Sequence, residues 1–298
     1  MTSPLLITGA SGQLGGYLLR ELGASNVPAI AWSGSREGLL CGFPLRPVNL
    51  ADRDAVARAF REARPWAVIH AAAVSRIDAC FRDPLLARRV NEQGAALLAE
   101  LCHEVSARLI YVSTDLVFDG AQGWYREADA PAPLSVYGRT KAAAEQAVLA
   151  CDRSAVVRVS LLFGPTIVGR PGFFDQQLDA LRSRRPCTLF EDEWRTPLSL
   201  RTAARCLLAA AGSDVQGVLH VGGPERLTRL EMGLRLARWL NADPALLVPA
   251  KQADFPSPEP RPRDVSLDSS RFRHLFPAQP FPVWEEAVAE LGVQPGGA

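Results

Sequence analysis

What this chain can fold into is constrained most by an alternation that runs through roughly its first 160 residues. Short apolar runs at Leu5–Thr8, Val27–Trp32, Val68–Ala71, Leu109–Ser113 and Ala155–Val159 have the length and content of strands buried on both faces. Helical patterns lie between them. Leu14–Leu22 follows a glycine turn, and Arg53–Glu62 has Asp52 as its cap. Pro84–His103 opens with Asp83 at the N-cap and Pro84 at the first helical position, and Ser135 caps Val136–Leu149. Parallel neighbours need a crossover of about a dozen residues or more, which these helices supply. The expected fold is therefore α/β, a doubly wound parallel sheet of the Rossmann kind with helices on both faces.

Beyond about residue 160 the pattern loosens. Pro165, Gly169, Pro171 and Gly172 mark a loop, followed by helical stretches near Phe173–Arg182 and Arg201–Ala211. A strand at Val218–Val221 and an amphipathic helix at Thr228–Leu240 come next. Pro249–Pro262 carries five prolines and reads as neither helix nor strand. A last helix, Val283–Leu291, precedes a glycine-rich tail expected to fray. The division expected is a dinucleotide-binding domain over 1–160 and, over 161–298, a smaller α/β lobe that mainly binds substrate, with some segments free to return to the sheet.

Composition narrows the function. The net charge is +1 with both signs interspersed, so neither nucleic acid nor a membrane surface is expected as a partner. The six cysteines are scattered without a C-x-x-C, and the four histidines form no ligand pattern. No metal is expected, and nothing in the sequence indicates Mg²⁺. The chain enters an apolar run within four residues of its start and has no stretch of transmembrane length. A cytoplasmic location follows as the expectation, with room for a homodimer.

Chemistry enters at the first turn. Thr8-Gly9-Ala10-Ser11-Gly12-Gln13-Leu14-Gly15 lies after a strand and before a helix. Gly12 lets the backbone approach a pyrophosphate whose charge then faces the helix N-terminus, and Gly15 lets the helix pack on the sheet. A structural turn could use the same glycines, but this context is the one a dinucleotide requires. After the second strand the chain reads Trp32-Ser33-Gly34-Ser35-Arg36-Glu37. An acid there would hold ribose hydroxyls; Ser33, Ser35 and Arg36 instead suit a 2′-phosphate, so NADP(H) is expected over NAD(H).

The second constellation is Tyr137-Gly138-Arg139-Thr140-Lys141. Lys141 is one of two lysines in a chain that otherwise carries positive charge on arginine. An i, i+4 spacing puts phenol and ammonium on one helical face. An ammonium beside a phenol lowers its pKa and suits it to proton transfer near neutrality. A solvated surface pair would have the same spacing, and the rest of the chain argues against it.

With the glycine turn, Ser113-Thr114-Asp115 after a strand and Tyr137-x-x-x-Lys141 in that order, the chain resembles the extended short-chain dehydrogenase/reductase superfamily. Within it, Ser113 through Gly120 and Tyr137 through Lys141 are similar to the dTDP-4-dehydrorhamnose reductase branch. So are Arg158-Val159-Ser160-Leu161-Leu162-Phe163-Gly164-Pro165, Thr228-Arg229-Leu230-Glu231 and Arg261-Pro262-Arg263-Asp264. The resemblance implies that Tyr137 donates a proton to a substrate carbonyl. Lys141 would hold the nicotinamide ribose and depress the phenol's pKa, and Thr114 would orient the carbonyl oxygen. It also implies that Asn49 and Leu50 meet the adenine and that Ala71 and Ala72 line the cofactor. His70 reads as a packed strand-end residue, and Asn91 matches a family asparagine that packing alone could explain.

For substrate, Arg195 and Arg261 fall where relatives grip a nucleotide diphosphate, with Arg170 and Arg263 as lesser candidates. The function implied is NADPH-dependent reduction of a nucleotide-linked 4-keto-6-deoxysugar. Two alternatives stand beside it. One is an NAD(P)-retaining sugar-nucleotide epimerase. The other is a non-catalytic NADP-binding regulatory subunit resembling that of methionine adenosyltransferase. Leu116 after Asp115 removes the second carboxyl group that related dehydratases place there, and Leu200-Arg201-Thr202 stands where relatives commonly carry an acidic pair.

Overall fold

The computed structural model describes residues 3–25 and 27–296. Its centre is an eight-stranded sheet. The strands are β1 (Leu5–Thr8), β2 (Ala29–Ser33), β3 (Gly38–Leu40), β4 (Phe43–Pro47), β5 (Ala67–His70), β6 (Arg108–Thr114), β7 (Ser154–Val159) and β8 (Gly217–Val221). Their spatial order is β8-β7-β6-β5-β1-β2-β4-β3, parallel throughout except that β3 runs antiparallel to β4. Strand order reverses between β1 and β5, which opens a crevice at their carboxyl ends.

Both faces are covered, which is why the strands read as unbroken apolar runs. Leu5 and Ile7 point into one layer, with Leu18 of the helix Gln13–Gly23 and Ala203 and Leu207 of the helix Leu200–Ala211. Leu6 points the other way, into a layer with Val56, Leu98 and Val148 from the helices Arg53–Ala63, Gly94–Glu104 and Val136–Leu149. Asp52, Asp83 and Ser135 each accept a backbone N–H three residues on, capping their helices as expected.

The late strand and helix at 217–221 and 200–211 join this sheet. A separate apolar cluster gathers Phe174, Leu189, Met232, Leu247, Trp284 and Val288 around the helices Phe173–Arg182, Arg229–Trp239 and Trp284–Glu290. Gly296 donates its N–H to Trp239 O, so the tail is tied down that far; the rest of it lies outside the described residues. No helix of the described residues is long and apolar enough to cross a membrane.

Several elements depart from the expectation. β3 and β4 are additional; β4 holds Pro44 and Pro47 and buries only Leu45, so it carries neither apolar continuity nor alternation. The helix Ile77–Arg82 is additional too, and only Cys80 of it is buried. The helix from Pro84 is not uniform: Pro84–Ala87 passes through a π-helical segment, Arg88–Gln93, before Gly94–Glu104. Leu247–Ala250, at the edge of the proline-rich stretch, pairs in parallel with Cys187–Phe190, a strand that had no counterpart in the sequence reading.

Candidate functional site

The glycine turn packs against the loop after β5. Gly9 has φ +69°, and a Cβ there would meet Ala72 N at 2.6 Å. A Cβ on Gly15 would run into the Gly9 carbonyl and come within 2.6 Å of Ala10 Cα, so helix and turn meet at a distance only glycine permits. Gly12 N–H closes the turn on Gly9 O at 2.9 Å. The helix then starts at Gln13 with no side-chain cap and no acid in its first turn. N-terminal N–H groups left without a side-chain partner at the sheet's crevice are a fitting cradle for a pyrophosphate, with Ser11, Gly12 and Leu14 on its wall. Gln13 turns away to bond Thr166 Oγ1 and Arg170 O, tying the loop after β7 over the helix start.

At the adenosine end the expected residues separate. Ser33 is buried and its hydroxyl donates to Arg36 O, so it closes its own turn and is not turned outward. Ser35 and Arg36 are exposed beside it, where a 2′-phosphate could be met. Asn49 is exposed, with Oδ1 accepting Ala51 N–H at 3.0 Å. Leu50 is buried and packs on Gly94. Ala71 and Ala72 are half-buried next to Gly9, and Ala72 N–H donates to Thr8 Oγ1.

His70 is a packed strand-end residue. Its Nδ1 lies 2.6 Å from Thr8 Oγ1, and burial, helped by the charge of Lys141, lowers its pKa to about 3. Asn91, in the π-helical segment, accepts from Val74 N and donates to Val74 O and Thr140 Oγ1. It thereby ties the loop after β5 to the helix that carries Tyr137.

Thr114 ends β6 and Tyr137 opens the helix Val136–Leu149. Thr114 lies close enough to the Tyr137 phenol to favour its ionised form. Gly138 makes this possible, since a Cβ there would press into the Leu116 carbonyl and meet Pro133 Cβ at 2.8 Å. Burial raises the Tyr137 pKa, the carboxylate of Asp115 raises it further, and Thr114 opposes both.

This corrects the expectation for the phenol. Lys141 points its ammonium into the interior, donating to Val112 O at 2.7 Å and lying 4.1 Å from the centre of the Tyr111 ring. It is not among the groups that set the Tyr137 pKa, so the phenol stays neutral. The lysine bears the depression itself: burial lowers it to about 7, with Glu145 opposing.

The arginines also sort differently from one another. Arg195 is buried, donating to Trp194 O at 2.6 Å, with Glu193 at 3.5 Å and Asp115 at 3.9 Å. Its fork is thus engaged by buried protein acids and not held out for a diphosphate. Asp115 accepts from Ser160 and Thr114, and burial raises its pKa while Arg195 pulls it back. Arg261 is half-buried, donating to Phe255 O at 2.6 Å, its guanidinium 5.3 Å from the Phe190 ring centre. Arg170 and Arg263 are exposed and contribute carbonyls to loop contacts.

Residues without a role in the sequence reading complete the surroundings. Glu259, buried on the proline-rich loop, accepts Val136 N–H at 2.6 Å. Glu193 binds Arg229 at 2.7 Å. Glu145, a further turn beyond Lys141, carries the one sequence signal that could have been followed, a third polar residue at the i, i+4 step.

The family model described as "RmlD substrate binding domain" matches residues 2–294. A dTDP-4-dehydrorhamnose reductase of Streptomyces griseus is 33% identical over 293 residues, 96% of this chain and 91% of the relative. Methionine adenosyltransferase 2 subunit beta of Pongo abelii is 31% identical over 283 residues, 91% of this chain and 82% of the relative. Among solved structures, a dTDP-4-dehydrorhamnose reductase of Clostridium acetobutylicum superposes with a TM-score of 0.85 at 26% identity, covering 97% of this chain and 98% of its own.

Proposed function

Because this chain belongs to the RmlD substrate binding domain family, we propose that it is an NADPH-dependent reductase of a nucleotide-linked 4-keto-6-deoxysugar. The observation that carries the reading is the placement of the Tyr137 phenol near Thr114 at the carboxyl end of β6, beside the crevice of the sheet. A phenol that holds its proton beside a threonine hydroxyl suits a carbonyl oxygen that gains negative charge as it is reduced.

The glycine turn and the start of its helix would hold the pyrophosphate, and Ser35 and Arg36 the 2′-phosphate; Lys141 would reach the nicotinamide ribose by turning its ammonium from Val112 O. When bound, the dinucleotide supplies the hydride. Tyr137 supplies the proton: burial keeps its phenol protonated at neutral pH, which is the state a donor requires. Thr114 orients the same oxygen.

Arg195 acts indirectly in this scheme, neutralising Asp115 so that the phenol does not face an uncompensated carboxylate. Arg261, braced by Phe255 O and the Phe190 ring, is the better placed fork for the diphosphate. The lobe built around Phe173–Arg182 and Arg229–Trp239 would receive the sugar nucleotide.

The test is a panel of 4-keto sugar nucleotides assayed for NADPH oxidation. Turnover that disappears in Tyr137→Phe supports the reading, and no turnover on any member of the panel refutes it. The likeness to methionine adenosyltransferase 2 subunit beta favours a second reading, a non-catalytic NADP-binding subunit. Co-elution with a methionine adenosyltransferase, together with inertness toward the panel, would select it.

A further inference from the structure

The proline-rich loop that follows Leu247–Ala250 is fastened by a charge where a loop would ordinarily use an apolar side chain. Of residues 251–260, one alone is buried. It is Glu259, 5% exposed, between Pro258 and Pro260. Its Oε1 accepts Val136 N–H at 2.6 Å and the Arg139 Nη2 donor at 3.3 Å. Val136 is the first residue of the helix that carries Tyr137, where an N–H has no partner within the helix and negative charge is favoured. Among the described residues, no other member of 256–260 makes a hydrogen bond.

The two ends of the loop are tied elsewhere. At the near end Gln252 N–H donates to Asp192 Oδ1 at 3.0 Å, and the Phe255 ring meets Phe190 edge-on, 5.7 Å between centres. At the far end Arg263 O accepts Trp194 N–H at 2.8 Å, and Asp264 N–H donates to Gly120 O at 3.2 Å. Between these anchors Glu259 is the point where the chain touches the Tyr137 helix. Two residues on stands Arg261, its guanidinium on Phe255 O and the Phe190 ring. The touching point is built to release. Glu259 Oε2 is enclosed without a hydrogen-bond partner among the described residues, and a half-satisfied carboxylate recovers its hydration on leaving. No apolar side chain of 251–260 is buried with it, so opening the loop exposes little.

We propose that residues 252–262 form a lid between the substrate lobe and the Tyr137 helix, and that Glu259 is the latch, a positioning residue that sets where Arg261 stands. Arg261 bonds Phe255 of the same loop, so with the latch open that contact no longer fixes it relative to the phenol. What Arg261 then grips rests on the reductase reading; the latch is a property of the protein alone.

The two lysines of the chain separate loop opening from unfolding. Lys251 is exposed at the base of the lid, and Lys141 is 2% exposed inside the helix Val136–Leu149. A lysine-specific protease therefore cuts the folded protein after Lys251 and reaches Lys141 only on unfolding. Glu259→Ala is expected to speed the cut after Lys251 by about 10-fold or more, the weight of a hydrogen-bonded charge, with the cut after Lys141 no faster than in the parent. Glu259→Gln keeps an oxygen for Val136 N–H and should fall between the two. An unchanged rate at Lys251 in both variants overturns the proposal. So do cuts at both lysines that rise together in both variants, the mark of a merely structural acid.

Toward a keto sugar nucleotide, Glu259→Ala should raise KM by about 10-fold or more and leave kcat within about twofold. Arg261→Ala added to it should then cost little further, because the two residues act as one unit. A loss confined to kcat, or losses that add in full, would overturn the link to Arg261. Should the cut after Lys251 quicken while the parent reduces no keto sugar nucleotide, the reductase reading fails and the latch stands.

Discussion

Replacing Gly138 with alanine sets two physical effects against each other. In an ordinary helix interior alanine is favoured over glycine by about 0.8–1.0 kcal/mol. Here the new Cβ would meet Pro133 Cβ at 2.8 Å and press into the Leu116 carbonyl, both parts of the segments that seat the helix start. Overpacking of this kind costs about 1–3 kcal/mol, because rigid backbone must give. The overpacking term wins over most of its range, and a net loss of up to about 2 kcal/mol is expected. The relief available is a shift of the helix start away from Leu116, which draws Tyr137 away from Thr114. A misplacement of about 1 Å at such a site costs on the order of 100-fold in rate. Urea denaturation and NADPH consumption measure the two consequences separately. Ala143→Gly, on an exposed face of the same helix, calibrates propensity alone, with a loss of about 1 kcal/mol and unaltered turnover. A Gly138→Ala protein as stable as its parent, turning over at the parental rate, would refute the reasoning.

Tyr137→Phe keeps the packing of the ring and removes the donor, so NADPH affinity should persist while reduction falls by about 10²–10⁴-fold; unchanged turnover would remove Tyr137 from the mechanism. Arg36→Ala should weaken NADPH markedly more than NADH in paired titrations, and an equal loss for both would remove Arg36 from 2′-phosphate recognition. Acid sensitivity should come in part from His70 and His220, both lowered from 6.5 to about 3 by burial. The unfolded chain binds protons there that the native state refuses, so this stability is present above about pH 6.5 and is lost progressively down to about pH 3. His70→Phe should flatten the fall of melting temperature across that window, and a parallel curve would contradict it.

What was legible in the sequence is what is decided locally. Asp52, Asp83 and Ser135 cap their helices because capping engages an N–H three residues away, and the buried strands announce themselves because both faces are covered. β4 was illegible for the converse reason. It is held by β2 and by the antiparallel edge strand β3, so pairing across the chain overrides two prolines and an exposed surface. The π-helical turn was equally hidden: nothing local distinguishes Arg88–Gln93, and its evident use is to bring Asn91 onto Val74 and Thr140. At the site, the spacing of Tyr137 and Lys141 fixes a shared helical face but not what each end group meets.

That gap explains why the electrostatics of the pair came out inverted. Two side chains one turn apart share a face, yet a long lysine stem reaches past its neighbour, and here it ends on Val112 O and the Tyr111 ring. In a dry interior the desolvation of each group exceeds their mutual effect, so the phenol rises and the ammonium falls. On the proposed reductase reading, these protonation states suit reduction better than a shared phenolate would. A donor must hold its proton until the carbonyl oxygen needs it, which a raised phenol does. Sequence spacing put the two groups on one helical face; burial assigns their protonation states, and burial is a property of the packed sheet as a whole.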